Sequence, residues 1–130
     1  MTSKHEDDKY EVGLGVRRDM FGAAGAEQAI AKATDFMKPM QELATRYCFG
    51  EIWGRPGLDR RTRSMITMAL LVALGKPNQL KLHVKGAIAN GVTKDEIREV
   101  LLHSMIYAGV PAGVEAHTVA ADTLREMGLE

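Results

Sequence analysis

The chain has 130 residues, the size of one domain with its own hydrophobic core. Hydrophobic residues make up 45% and charged residues 26%, which excludes an intrinsically disordered chain. The formal net charge is zero, so the chain as a whole has no electrostatic attraction to nucleic acid or to an anionic membrane surface. We therefore expect a single domain over residues 1–130, with no nucleic-acid partner and no membrane partner.

The single cysteine, Cys48, excludes an intrachain disulfide and a structural metal site built on cysteines. It follows an aromatic residue in an apolar setting, which favours a buried small hydrophobe over a reactive thiol. Residues 1–8 are polar and expected to be flexible, and the N-terminus lacks the apolar segment of a signal peptide. The apolar run over residues 65–74 is about half as long as a bilayer crossing requires. A cytoplasmic location is predicted.

In the first half of the chain, apolar residues at helical spacing predict two helices. A short helix is predicted over residues 10–20 and a longer one over residues 26–47, with a glycine-containing break between them. Pro39 lies inside the second pattern and should kink or divide that helix, because proline has no amide hydrogen and clashes with the preceding turn. Residues 49–58 hold three glycines and one proline, and are predicted to form an irregular loop.

The second half of the chain predicts four further helices, over residues 60–74, 77–90, 94–108 and 112–127. Asp59 can cap the first of them, Gly75 and Gly91 can provide left-handed helix ends, and Thr93 with Glu96 forms a capping box. No segment alternates as a half-buried strand would. The predicted fold class is therefore all-α, with five to seven helices.

The second half has more apolar residues than one buried stripe per helix requires. After its first turn, the helix over residues 60–74 is apolar on every face, and Leu102 and Ile106 lie away from the main stripe of their helix. A small helical domain often buries such an extra face against a copy of itself. We predict a homo-oligomer; the alternative is that one chain covers all these faces.

Four arginines directly precede the apolar run: Arg55, Arg60, Arg61 and Arg63. A guanidinium group matches the geometry of a carboxylate, and dry surroundings strengthen that pairing. This stretch therefore predicts a site for a small anionic molecule. Glu51 and Trp53 lie in the loop just before it, where Trp53 either fills the core or lines a pocket. For Arg60 and Arg61 the alternative is a solvated first helical turn.

His83 lies on the following helix, at the border of its buried stripe. A histidine within reach of an anion site is a candidate proton donor or acceptor near neutral pH, and the alternative is a structural histidine in the core. The four histidines show no metal-ligand spacing, so no metal site is expected.

Two segments, GEIWGRPGLDRRTRSMITMALLVAL and LHVKGAIANGVTKDEIREVLLHSMIYAGVPAG, closely resemble the carboxymuconolactone decarboxylase family, and the similarity covers nearly the whole chain. The resemblance implies an all-α fold of the alkylhydroperoxidase-D-like type, assembled as trimers or hexamers. It also implies a cofactor-free loss of CO2 from a γ-carboxylated lactone to give 3-oxoadipate enol-lactone, in the protocatechuate branch of the β-ketoadipate pathway of aromatic catabolism.

Peroxidase relatives of this fold type use a Cys-x-x-Cys pair shortly before the histidine that matches His83. Here those positions are Lys76 and Gln79, so a dithiol mechanism is excluded. The same relatives carry a proton-relay glutamate where this chain has Ser64. That departure makes Glu51 the nearer candidate for an acidic partner of the histidine.

With the resemblance, His83 and Glu51 are the predicted catalytic residues. The predicted ligand is a small dicarboxylate lactone, bound by Arg55, Arg61, Arg63 and Trp53. No cofactor is expected, because the lactone carbonyl can itself accept the electrons that decarboxylation releases. Two competing interpretations are a non-catalytic helical oligomer that binds a small acid or a partner protein, and a related enzyme acting on another lactone.

Overall fold

A computed structural model describes residues 4–130, with side chains from residue 8 onward. The secondary structure of these residues is helical throughout, and the all-α prediction is confirmed. The elements are α1 (Lys4–Phe21), a 3-10 turn (Ala23–Gly25), α2 (Glu27–Lys32), α3 (Lys38–Leu43), a π-helix (Ala44–Ile52), α4 (Arg60–Leu74), α5 (Pro77–Ala89), α6 (Lys94–Ala108) and α7 (Val110–Glu126). Within the described range, every helix is too short or too polar to cross a lipid bilayer.

The described chain divides into two compact units after Leu58, here called unit 1 (up to residue 58) and unit 2 (residues 59–130). The single-domain prediction over residues 1–130 stays a prediction. The helix predicted to start near residue 10 begins earlier, at Lys4. The flexible segment predicted over residues 1–8 thus overlaps α1, and its first three residues lie outside the described range.

Unit 1 is built on the contact between α1 and the π-helix. Two glycines let the two backbones approach closely. A Cβ atom added to Gly13 would lie 1.8 Å from the carbonyl oxygen of Thr45, and one added to Gly50 would lie 2.1 Å from the carbonyl oxygen of Lys9. Four buried apolar side chains fill the core beside this contact: Val16, Met20, Phe49 and Trp53.

A buried arginine links the helices of unit 1. Arg17 donates hydrogen bonds to Gln41 Oε1 (2.8 Å), to Thr45 Oγ1 (2.9 Å) and to the carbonyl oxygen of Gly25. Its guanidinium carbon also lies 5.8 Å from the centre of the Phe49 ring. Burial lowers the pKa of Arg17, but the hydrogen bonds keep the charged group satisfied.

Three predictions in unit 1 need correction. The predicted helix over residues 26–47 is divided as expected, but the break precedes Pro39, because proline is readily accommodated in the first turn of α3. The predicted loop over residues 49–58 is wrong at its start, since the π-helix continues to Ile52. Cys48 was predicted to be buried and is exposed.

Unit 2 contains four helices. Several of these helices begin or end at the predicted capping residues. Asp59 Oδ1 accepts a hydrogen bond from the Thr62 amide at 2.7 Å, and α4 ends at Gly75, which has a φ of 67°. Thr93 and Glu96 form the predicted capping box of α6. Helix α7 begins at residue 110, two residues before the predicted start. The core of unit 2 is one cluster of side chains from α4 to α7, with Met68, Val84 and Ala87 fully buried.

Several large apolar side chains of unit 2 remain exposed. Ile66, Leu70 and Leu74 recur every four residues along α4, and Ile106 and Tyr107 on α6 are 74% and 81% exposed. The extra apolar faces seen in the sequence are therefore not fully covered by the described part of a single chain.

The close approach of α1 and the π-helix predicts that Gly13→Ala lowers the free energy of unfolding by about 3 kcal/mol, because the new methyl group must push two backbones apart. Urea unfolding followed by circular dichroism measures this. The matched control is Gly15→Ala in the same helix, where an added Cβ meets no atom within 4 Å. This control should leave stability unchanged or raise it by up to about 1 kcal/mol. Equal losses in the two variants would contradict the packing argument.

Candidate active site

The first turn of α4 carries three half-buried arginines: Arg60, Arg61 and Arg63. Arg61 forms an ion pair with Glu96 in the first turn of α6. The same glutamate side chain accepts a hydrogen bond from the Thr93 amide at 3.0 Å, so its position is fixed by the capping box. The structure therefore ties Arg61, a predicted substrate-binding residue, to the start of another helix.

Ser64, the next residue on the inner side of this turn, is fully buried. Its Oγ accepts a hydrogen bond from Asn90 Nδ2 at 2.9 Å, at the C-terminal end of α5. This contact joins the arginine-bearing turn of α4 to the helix that carries His83.

His83 lies on α5 beside the buried residues Leu80, Val84 and Ala87. The residue is half-buried, and its Nδ1 atom is shielded from solvent. Burial lowers the pKa of His83 from 6.5 to about 4, because an apolar environment disfavours the charged imidazolium. The imidazole is therefore neutral at pH 7, and one of its nitrogens carries a hydrogen that can be donated.

The structure brings His83 and the arginine turn onto one helical hairpin. Only two residues separate the end of α4 at Leu74 from the start of α5 at Pro77, so these packed helices run antiparallel. His83 precedes Asn90 by seven residues, which is close to two helical turns and places both on nearly the same face.

The remaining predicted site residues lie in unit 1. Glu51 Oε2 is 2.8 Å from Lys9 Nζ, and Glu51 Oε1 is 4.0 Å from Arg55 Nη1. Trp53 is buried in the core, where its ring stacks on Phe49 with the ring centres 6.0 Å apart. Of the two positions considered for Trp53, the structure shows the core position.

A sequence model of the "Carboxymuconolactone decarboxylase family" matches residues 38–122. The chain belongs to this family. The resemblance inferred from the sequence is thereby confirmed.

Two curated relatives are similar over most of their length. The chain is 38% identical over 125 residues to the 4-carboxymuconolactone decarboxylase of Acinetobacter baylyi, covering 96% of this chain and 93% of that protein. It is 43% identical over 118 residues to the nitrosuccinic acid decarboxylase of Metarhizium robertsii, covering 91% of this chain and 82% of that protein. Both names describe decarboxylation of a small organic acid, although the two acids differ.

The sequence did not identify Ser64 and Asn90 as hydrogen-bond partners. Asn90 was recognised only as a helix end before Gly91, and Ser64 only as a departure from the peroxidase relatives. Their hydrogen bond joins positions 26 residues apart. Helix periodicity could have placed Ser64 on the same buried face as Met68, but it does not identify a partner on another helix.

The buried imidazole predicts that acid destabilises this protein partly through His83. The unfolded chain binds a proton at this residue near pH 6.5, whereas the folded chain binds it only near pH 4, so stability falls as the pH falls through that window. The loss amounts to as much as ~3 kcal/mol. Urea unfolding between pH 7.5 and pH 4 should therefore show a shallower acid dependence for His83→Gln than for the unchanged chain. Parallel curves would show that the imidazole titrates alike in both states.

Proposed function

We propose that this chain catalyses the cofactor-free decarboxylation of 4-carboxymuconolactone to 3-oxoadipate enol-lactone and CO2. The observation that carries the proposal is its similarity, over nearly the full length of both chains, to the Acinetobacter baylyi enzyme. The combination of arginines and a half-buried histidine on one hairpin of unit 2 supports the same chemistry. The proposed role is in protocatechuate degradation, in the cytoplasm.

The lactone supplies its own electron sink. Its departing carboxylate is vinylogous to the ring carbonyl, so the electrons of the broken carbon–carbon bond move through the ring double bond onto the carbonyl oxygen. CO2 leaves, and the resulting dienolate takes a proton at the ring carbon next to the carbonyl. The protein must hold the acetate arm, stabilise the developing oxyanion and deliver that proton.

Arg63 or Arg55 is proposed to bind the acetate arm of the lactone. A strong grip on the departing carboxylate would oppose the reaction, because that group loses its charge in the transition state. The carboxylate that stays is therefore the proper target for a bidentate guanidinium. Arg61 and Trp53 stay predicted substrate-binding residues; Arg61 is paired with Glu96, and Trp53 lies in the core of unit 1.

His83 is proposed as the general acid, either protonated or as a neutral ring whose N–H group donates a hydrogen bond. The ring is neutral at pH 7 in the unbound protein, and a bound anion would favour its protonation, so that the imidazolium gives its proton to the ring carbon of the dienolate and returns to neutral imidazole. Glu51 is proposed as its acidic partner. In the structure its carboxylate lies beside Lys9 and Arg55.

A second candidate substrate is nitrosuccinic acid, favoured by the similarity to the Metarhizium robertsii enzyme. Here the nitro group on the carbon that loses CO2 accepts the electron pair as a nitronate, and protonation of that carbon completes the reaction. The two acids present the same problem to a protein: one carboxylate leaves, another stays, and negative charge grows on an oxygen.

The active form is proposed to be a homo-oligomer, a trimer or a hexamer. The exposed apolar side chains of α4 and α6, Ile66, Leu70, Leu74, Ile106 and Tyr107, support this, because water contact with such a face is unfavourable. A non-catalytic oligomer that binds a small acid would have the same surface, so catalysis requires a direct assay.

The proposed function predicts that the purified chain, with EDTA present, releases CO2 from 4-carboxymuconolactone faster than from nitrosuccinic acid. A faster reaction with nitrosuccinic acid would assign the chain to the second candidate. A folded oligomer that releases CO2 from neither acid would refute the proposed decarboxylation and favour a non-catalytic binding protein.

In the same assay, His83→Ala should lower kcat by roughly 10²–10⁴-fold, because a general acid is lost. The control is His117→Ala, since His117 is the other half-buried histidine of unit 2 and its Nδ1 contacts only the Gly113 carbonyl oxygen of its own helix, at 2.7 Å. That variant should retain activity within a factor of about two. A folded His83→Ala protein with near-normal turnover would refute the assigned role.

The proposed binding of the acetate arm by Arg63 predicts that Arg63→Leu raises KM by about 10- to 100-fold. This factor corresponds to the loss of one charge-assisted hydrogen bond. Arg63→Lys should recover only part of the loss, because an ammonium group cannot make the bidentate contact. Arg125→Leu, which removes an exposed arginine paired with Asp122 on α7, is the control and should leave KM unchanged. A rise of KM in Arg55→Leu but not in Arg63→Leu would show that Arg55 binds the acetate arm instead.

A further inference from the structure

The hydrogen bond between Ser64 and Asn90 joins a fully buried residue of unit 2 to a half-buried one at the end of α5. Ser64 has no exposed surface, and the two polar atoms are 2.9 Å apart. Loss of this bond would be costly on the Ser64 side, because the Ser64 hydroxyl has no exposed surface and its Asn90 partner would be gone. The contact therefore fixes the first turn of α4 against the last turn of α5.

A second contact holds the same turn from its outer side. Arg61 pairs with Glu96, whose carboxylate is itself fixed by the capping box at Thr93. Arg61, two residues before Arg63, and Ser64, directly after it, are thus both attached to the segment where α5 ends and α6 begins. These two attachments hold the backbone of the turn that carries Arg63.

The Ser64–Asn90 contact, together with helix geometry, determines how far His83 lies along the hairpin from the first turn of α4. Asn90 lies level with Ser64, and His83 lies two turns earlier on α5, which is about 10 Å along the hairpin at a rise of 1.5 Å per residue. A substrate held at Arg63 would therefore have to reach along the hairpin toward His83. A slip of one residue between the helices would change it by about 1.5 Å.

The geometry points to Ser64 and Asn90 as positioning residues for the decarboxylation: their hydrogen bond sets the height of His83 relative to Arg63 along the α4–α5 hairpin. This inference rests on the proposed function, because it takes the roles of His83 and Arg63 from there. Neither positioning residue touches the reacting atoms. They act by keeping the proton donor at the distance from the anchored carboxylate that the substrate requires.

The test is Ser64→Ala, with kcat and KM measured on the acid that the unchanged chain decarboxylates. Misplacement of the donor should lower kcat by about 10- to 100-fold and change KM less than about threefold. The matched control is Ser104→Ala, because Ser104 is also a buried serine of unit 2 but its hydroxyl donates only within α6, to the Val100 carbonyl oxygen at 2.7 Å. That variant should keep kcat within a factor of about two. Equal kcat losses for the two variants would overturn the inference.

A second variant removes the same hydrogen bond from the other side. Asn90→Ala changes a half-buried residue at a helix end, so it opens no void in the core if Ser64→Ala fails to fold. It should lower kcat as Ser64→Ala does, and the double variant should lose no more than either single one. In a His83→Ala background, either substitution should change kcat less than about twofold, since the donor that it positions is gone. Losses that multiply in that background would show an effect unrelated to His83.

One measurement does not depend on catalysis. The NMR signal of the Cε1–H group of the His83 ring should shift in Ser64→Ala and Asn90→Ala, and should stay in place in Ser104→Ala. If the unchanged chain decarboxylates neither acid, the proposed function fails while the shift still shows the hairpin coupling. An unmoved signal together with full activity overturns the positioning role and leaves the proposed function intact.

Discussion

The constraint on which unit 2 depends is the packing of α4 against three other helices around a dry core. Met68 and Val84 have no exposed surface, and Leu101 and Ala116 from α6 and α7 close the same cluster. Burial of such side chains is the main source of stability in a domain of this size. Because the inner face of α4 is committed to the core, charged groups fit only on its first turn and outer sides, and the three arginines occupy that first turn.

The same dry environment explains the state of His83. A free imidazole is half-protonated near pH 6.5, but the core around α5 lowers the pKa to about 4. An anionic substrate placed beside the ring would favour the protonated form and raise that pKa again. A buried histidine next to a bound dicarboxylate can therefore hold its N–H hydrogen before the reaction and share it with the dienolate as negative charge grows. No external electron sink is required when the substrate carries one.

Local signals in the sequence predicted the helices of unit 2 well, because Asp59, Gly75 and the capping box act within a few residues of themselves. The π-helix was not predictable, since its form goes together with a backbone contact between Gly13 and Gly50 that joins distant segments. For the candidate site, sequence placed the arginines and the histidine on neighbouring helices. It gave no sign of the Ser64–Asn90 bond, which depends on how two helices are aligned in space.

The helical repeat separates the tolerance to substitution of two neighbouring residues at the start of α4. Ser64 points inward to the core while Arg63, one residue earlier, leaves the helix about 100° away from it. Exchanging the outward residue would change the charge on the surface of this turn without disturbing the inward one. Substitutions on the outer side of this turn should therefore cost little folding energy, whereas a change at Ser64 alters a fully buried position.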